Sequence, residues 1–368
     1  MSVTNTPRAV RRAGVRPSAW AALGLAAVLG TAPAGVASAQ QPASSDAVTL
    51  RLGYFPNVTH APAIVGVDTG IFQEALGDNV ELDLQTFNAG TEAIEALFGE
   101  SIDASFIGPN PAINGYAETE GEILRIVAGS TSGGASLVVN SDITEASQLE
   151  GTSLATPAIG GTQDVALRAW LADNGLETDI HGGGDVEIIN QANGDTLTSF
   201  QEGESAGAWV PEPWATRLVL EGEGHVLVNE ADLWPDGQFV TTHLIVATEF
   251  LDEHPDVVKN LIAGLVTSIE TINADPAAAQ TVVNDGIEAI TDNRLADETI
   301  GGAFQNLTFT YDPIASSLQE SADDAATVGL LEPVDLASPG IYDLTLLNEV
   351  LTEVGLEPVA GVEGTTED

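Results

Sequence analysis

From Val48 to Ala247 the chain alternates between two hydrophobic rhythms. Short apolar runs rich in Val, Ile, Leu and Phe give way to stretches whose apolar residues recur every third or fourth position, the signatures of strand and helix. The runs predict strands at Val48 to Tyr54, Val80 to Phe87, Ile102 to Ile107 and Ile123 to Ala128, with helices between them at Pro62 to Leu76, Thr91 to Phe98 and Pro111 to Glu118. The pattern restarts with a crossing strand at Ser136 to Val139. Strands at Ser153 to Ala155, Val186 to Asn190 and Ala206 to Val210 follow, with helices at Thr162 to Asn174, Thr196 to Gln201 and Trp214 to Leu220. A strand at Val226 to Val228 and a return strand at Phe239 to Ala247 close this second unit. From Glu249 to Val354 the sequence reads almost wholly as helices, with Asp256, Asp275 and Asp297 as start signals.

Strands alternating with helices predict parallel pairing in layered α/β sheets. One α/β unit is inserted in another, with crossings near Gly134 to Val139 and Gln238 to Thr242, which predicts two α/β lobes joined by two hinge crossings and a ligand cleft between them. On this reading residues 40–134 and 239–359 form lobe 1 with the C-terminal helices, residues 135–238 form lobe 2, and residues 360–368 are a flexible acidic tail.

The loops that end the strands share one chemistry. F-P-N-V-T-H (55–60), F-N-A-G-T (87–91), G-P-N-P (108–111), T-S-G-G-A-S (131–136), T-P-A-I-G-G-T-Q-D (156–164) and W-V-P-E-P-W (209–214) follow apolar runs, and most lead into helices. The first N–H groups of a helix have no partner within it and lie at the positive end of its dipole, so such loops build neutral sites for anions. Open α/β sheets place ligands beyond the carboxyl ends of their strands, where these loops fall. The candidate ligand-binding residues are Asn57, Thr59, His60, Asn88, Gly108, Asn110, Ser132, Gly133, Thr162, Gln163, Trp209, Glu212 and Trp214. Asn, Ser, Thr and Gln supply uncharged donors, and the glycines let backbone N–H groups approach closely. Trp209 and Trp214 offer either core aromatics or the apolar wall an alkyl tail needs. Gly133-Gly134 reads equally as a hinge. Glu212 is out of place in an anion cleft unless it bonds backbone or, like Asp164, holds the amino group of a zwitterion.

Charge and processing narrow the setting. Arg8, Arg11, Arg12 and Arg16 precede an apolar stretch from Ala19 to Val36 closed by Ala37-Ser38-Ala39, the order of a secretory signal peptide over residues 1–39. The expectation is cleavage after Ala39 and a secreted protein, periplasmic or on the outer face of the cytoplasmic membrane, with an uncleaved signal anchor as the alternative. Four of the 10 basic residues lie in that segment, which leaves six against 55 acids. Such a surface repels nucleic acid and anionic lipid, and its self-repulsion is relieved by salt, which suggests a saline exterior. None of the basic residues lies in the six loops. With no cysteine, the chain has no disulfide, no thiol nucleophile and no lipid-attachment site, so it is not a lipoprotein.

L-G-Y-F-P-N-V-T-H-A-P-A, F-N-A-G, G-P-N-P-A-I-N-G-Y, T-S-G-G-A-S-L-V-V, T-Q-D-V-A-L-R-A-W, G-A-W-V-P-E-P-W-A-T-R-L and D-L-W-P-D-G-Q-F-V-T-T-H-L-I-V together resemble the substrate-binding proteins of ABC transporters for aliphatic sulfonates. That group is related to nitrate, bicarbonate and taurine binders, and the likeness runs from about Val48 to Val359. The resemblance implies a type II periplasmic-binding-protein fold and delivery of a small anionic ligand to an ABC permease with its ATPase, by a protein expected to be a monomer that meets the membrane only through that permease or an uncleaved signal anchor. An aliphatic sulfonate is the first expectation; taurine, nitrate or bicarbonate are alternatives, as is a receptor that signals the ligand rather than importing it.

An enzyme is the competing class. Thiamine-pyrimidine synthesis proteins share this fold, and resemblance to them would imply a pyridoxal phosphate lysine, a donor histidine and a cysteine-rich motif. Here there is no cysteine, and the sole lysine, Lys259, lies in a helical region away from the loops. His60, His181, His225, His243 and His254 show no metal-binding H-x-x-x-H spacing. Gly203-Glu204-Ser205-Ala206-Gly207 matches G-x-S-x-G, but a nucleophile elbow needs a strand before it and a helix after, and here the order is reversed. No calcium-loop spacing occurs. The expectation is therefore no catalysis, no cofactor and no metal.

Overall fold

The computed structural model describes residues 47–337 and 340–360. The segment read as a secretory signal, and all but the first residue of the segment read as an acidic tail, lie outside the described residues. In chain order the first lobe contains β1 (Val48–Tyr54), α1 (Ala61–Asp68), α2 (Ile71–Leu76), β2 (Val80–Thr86), α3 (Gly90–Phe98), β3 (Ala104–Ile107), α4 (Pro109–Glu118) and β4 (Leu124–Gly133). The second contains β5 (Ala135–Val139), β6 (Ser153–Thr156), α5 (Thr162–Asp173), β7 (Glu187–Asn190), α6 (Asn193–Gln201), β8 (Gly207–Pro211), α7 (Trp214–Leu220) and β9 (His225–Asn229). The chain then returns through β10 (Val240–Ala247), and α8 (Thr248–Glu253), α9 (Pro255–Ala274), α10 (Pro276–Thr291), α11 (Asp297–Gln305), β11 (Leu307–Phe309), α12 (Ala315–Thr327) and α13 (Thr345–Val354) complete the first lobe.

One sheet has the order β11-β4-β10-β3-β1-β2 and the other β7-β6-β8-β5-β9. Pairing is parallel where strand and helix alternate: β1 with β2 and β3, and β6 with β7 and β8. The expectation of parallel pairing fails at the strands that carry the chain between lobes. β10 runs antiparallel to β3 and β4, and β5 antiparallel to β8 and β9. A strand arriving from the other sheet is not tied to its neighbour by a helical crossover, so nothing obliges it to run parallel.

Each sheet is packed on both faces. Alternation along the strands sends Leu50, Leu52, Phe106 and Leu244 into one core and Ile107, Ile126 and Ile245 into the other. Phe72 fixes α2 against α1 and α9; a Cβ on Gly66 or Gly264 would lie 2.4 or 2.8 Å from its ring, so only glycine fits opposite it. The single helix read over 62–76 is two, broken at Gly70 with φ +77°. Asp275 caps α10 by accepting from the Ala278 N–H at 3.1 Å, and Asp256 and Asp297 lie in the first turns of α9 and α11. β11, hidden in the helical C-terminal region, extends the first sheet beside β4.

The crossing from β4 to β5 passes through Gly133 and Gly134, with φ +79° and +73°. A Cβ on Gly134 would lie 2.2 Å from Leu307, so two successive left-handed residues and close packing both demand glycine here. The returning chain runs alongside: Thr241 Oγ1 donates to the Gly133 carbonyl. α12 touches α4 of one lobe and α5 of the other, and α11 touches α7, so the lobes meet along two helical seams. Among the described residues no helix is long and apolar enough to cross a membrane.

Candidate functional site

A small cavity of about 50 Å³ lies between the lobes, lined by strand ends and helix starts of both. Four helices begin at it. Ala89 and Gly90 belong to the start of α3, Gly108 to that of α4, Gly161, Thr162 and Gln163 to that of α5, and Asn193 to that of α6. None of the four N-termini is capped by a side chain, so their first N–H groups are left for a ligand. α4 contributes fewest, because Pro109 and Pro111 carry no N–H.

Asn57, Thr59, His60 and Asn88 complete the first-lobe wall. The 57–60 turn is pinned from beneath: the Thr59 carbonyl accepts from Thr131 Oγ1 at 2.8 Å and Thr242 Oγ1 at 3.1 Å. His60 is buried and stacks on Phe55 with ring centroids 4.4 Å apart. Burial pushes its pKa down to about 3, so the imidazole stands neutral in the cleft. Among the described residues no Arg or Lys lines the cavity. Arg168, five residues beyond Gln163 on α5, is buried away from the cavity and pairs with Asp164 at 3.1 Å. Any charge selectivity must therefore come from oriented N–H groups and amide or hydroxyl side chains.

Of the thirteen candidates, the structure brings seven to this cavity: Asn57, Thr59, His60, Asn88, Gly108, Thr162 and Gln163. The other six lie elsewhere. Asn110 is buried with its carboxamide donating to the Ser321 carbonyl at 3.0 Å, on the face of α4 turned to α12. Ser132 and Gly133 line a separate crevice of about 390 Å³ at the chain crossing. Trp209 is a core residue of the second lobe; its indole donates to Glu230 Oε2 at 2.7 Å and its ring packs against Trp170. Glu212 is buried and accepts from the Thr216 N–H at 3.1 Å, Thr216 Oγ1 at 2.9 Å and Asn306 Nδ2 at 2.7 Å, lining a different crevice of about 530 Å³. Trp214 stands beside the cleft and donates to Asn57 Oδ1 at 3.0 Å. Asp164 also turns away, accepting from Thr156, Asn190 and the Gly160 N–H at 3.0 Å each. No carboxylate is left to hold the amino group of a zwitterion in this cavity.

Phe55, Ala89, Gly90, Pro111, Pro157, Ala158, Gly161 and Pro211 also line the cavity from within the loops read in the sequence, whereas Asn193, Thr241 and Thr242 lie outside those loops and were missed. Asn193 had a readable signal: Gln191-Ala192-Asn193-Gly194 is one more polar strand-to-helix loop, obscured because α6 begins three residues earlier than the apolar spacing indicates. Its buried Oδ1 has no partner among the described residues, and the group it could offer an anion is the donor Nδ2.

The model of the NMT1-like family matches residues 43–284. The taurine-binding periplasmic protein of Escherichia coli is 26% identical over 233 residues, covering 63% of this chain and 69% of that protein. The bicarbonate-binding protein CmpA of Synechococcus is 25% identical over 248 residues, 59% of this chain and 52% of that protein, so the match spans about half of that relative. Among solved structures, the alkanesulfonate-binding protein SsuA from Xanthomonas axonopodis pv. citri bound to MOPS superposes with a TM-score of 0.66 at 18% identity, over 79% of this chain and 97% of that one.

Proposed function

The chain belongs to the NMT1-like family, and from that premise we propose that it is the extracytoplasmic solute-binding protein of an ABC importer, a monomer that captures a compact oxyanion and hands it to a membrane permease driven by an ATPase. The carrying observation is the convergence of four uncapped helix N-termini on one cavity without a basic side chain. Each charge-assisted hydrogen bond from such a donor contributes roughly 1.5–3 kcal/mol, so a handful suffice for tight capture. Solute is bound and released unchanged, and the two lobes, divided at residues 134 and 239, close over it about the paired crossings.

Within the anion class, the geometry favours a ligand without a tail. A single water molecule occupies about 10–15 Å³ of such a cavity, so one of about 50 Å³ suits an anion of four or five heavy atoms. Of the two tryptophans that could wall an alkyl chain, Trp209 is packed in the second lobe and bonded to Glu230, and Trp214, bonded to Asn57 beside the cleft, does not line the cavity. Nitrate, bicarbonate and methanesulfonate fit this description better than taurine or a long alkanesulfonate. Titration calorimetry with these anions, taurine and butanesulfonate tests it. Binding of the compact anions alone is the expected result, and a preference for butanesulfonate or taurine would reject the size argument.

A further inference from the structure

The lobes are tied across the cleft by two hydrogen bonds from side chains, Asn114 and Trp214, that do not line it, although one of the acceptors, Asn57, does. On the seam where α4 meets α5, Asn114 Nδ2 donates to the Gly160 carbonyl at 3.1 Å. Gly160 is a left-handed residue, with φ +67°, and its N–H is already held at 3.0 Å by Asp164 Oδ2. Asp164 is fully buried and anchored by Arg168, Thr156 and Asn190. The acceptor that Asn114 meets is therefore rigidly presented by the second lobe, one residue ahead of the α5 start that faces the cleft. On the other seam, where α7 meets α11, the Trp214 indole N–H donates to Asn57 Oδ1 at 3.0 Å. Trp214 is itself steadied by the Arg217 guanidinium 4.6 Å above its ring, and Arg217 is gripped by Glu221 at 2.7 and 2.9 Å.

We propose that Asn114 with Gly160, and Trp214 with Asn57, form a two-point clasp that holds the closed arrangement of the lobes, making Asn114 and Trp214 positioning residues that set how long an anion stays rather than which anion is chosen. The part concerning residence time rests on the anion-binding reading of the cleft; the part concerning closure does not. Each bond joins groups that are exposed to water when the lobes part, so its net worth is that of an ordinary hydrogen bond, equivalent to about a two- to tenfold change in an equilibrium. The two bonds lie on separate seams with no shared partner, so their effects should multiply.

Two measurements test the clasp. Because the chain has no cysteine, spin labels can be placed uniquely at cysteines introduced at exposed Glu95 and Glu202, one on each lobe. In ligand-free protein, Asn114→Ala and Trp214→Phe should each shift the interspin distances toward longer values, and together further still. Trp214→Phe keeps a ring beneath Arg217 and removes the donor together with one ring of the indole. A parent distribution without a closed component, or distributions unmoved by the variants, overturns the clasp whether or not any anion binds. With whichever of nitrate, bicarbonate or methanesulfonate the parent protein binds, Asn114→Ala should raise the dissociation rate by about two- to tenfold by one common factor, with melting temperature unchanged. A change in the order of preference among the three anions contradicts the assignment, because it would mean that Asn114 contacts the ligand. If the parent binds none of them, the anion reading fails, and the distance measurement still decides the clasp.

Discussion

Replacing Gly108 by alanine should hold the lobes apart. Gly108 has φ −73° and ψ 163°, extended backbone that any residue adopts, so the substitution strains nothing locally. Its added Cβ would point across the cleft and lie 2.5 Å from Thr162 Oγ1, against an ordinary contact of 3.4 Å or more, a shortfall of roughly 0.9 Å. Thr162 is β-branched and stiff, and turning it aside would withdraw its hydroxyl from the site. Overpacking of this kind costs about 1–3 kcal/mol, and since the clash exists only between closed lobes the whole cost falls on ligand affinity, about a 5- to 150-fold rise in Kd. Calorimetry reads that change, while the melting temperature of the ligand-free protein should stay where it is. A double-mutant cycle with Thr162→Ala adds a control: removing the clashing hydroxyl should make the pair less damaging than the two single changes combined. Unchanged affinity in Gly108→Ala would refute the reasoning, because the lobes would then not close on each other at this point.

Asn193→Ala removes a cleft-facing carboxamide and should weaken anion binding about tenfold or more with little change in melting temperature; Asn110→Ala, which loses the bond to Ser321 in the packed seam, should do the reverse, costing about 1–3 kcal/mol of stability. Burial raises the pKa of Glu230 to about 7 from its ordinary 4.5. The folded chain holds that proton longer than the unfolded one, so its contribution is complete below about pH 4.5 and is lost as pH rises through about 7. Glu230→Gln keeps an acceptor for Trp209 and cannot ionise, so its melting temperature relative to the parent should climb between about pH 5 and pH 8; parallel profiles would contradict this. His60 has the opposite sign. With its pKa pushed down to about 3, its contribution is lost only as pH falls below 6.5 toward 3, and anion affinity should be flat above about pH 6 except for the ionisation of the anion itself. With 55 acidic residues against 10 basic ones, melting temperature should rise from low to molar salt, and a flat response would remove the saline-habitat idea.

The sequence carried the architecture further than the site. β1 has the bounds its apolar run predicts, and so does α7. The loops that feed α3, α4 and α5 could be read because uncapped glycine-led starts follow strands in plain order. β11 could not be read, because a three-residue edge strand is defined by its neighbour β4 and not by any periodicity of its own. The strand read to Ala128 runs on to Gly133, into the T-S-G-G-A-S stretch (131–136) read as a loop, since β10 and β11 pair with it from both sides. The site errors have a common origin. A motif tells which residues are near in sequence, but not which way each side chain points. Along β8, Trp209 turns into one core of the second lobe and Val210 into the other, leaving Pro211 to reach the cleft. At the start of α4, Gly108 faces the cavity while Asn110, two positions on, faces α12. Thr241 and Thr242 belong to the far return strand, and only the fold brings them to the cavity floor.

The most direct measurement is a crystal structure of the protein loaded with the compact anion it binds best. The account predicts that the anion lies between the lobes with its oxygens about 2.7–3.2 Å from backbone N–H groups at the starts of α3 and α5 and from Asn and Gln side chains of the cavity. An anion found outside that cavity, or gripped within it chiefly by an arginine or lysine drawn in from elsewhere, would contradict it.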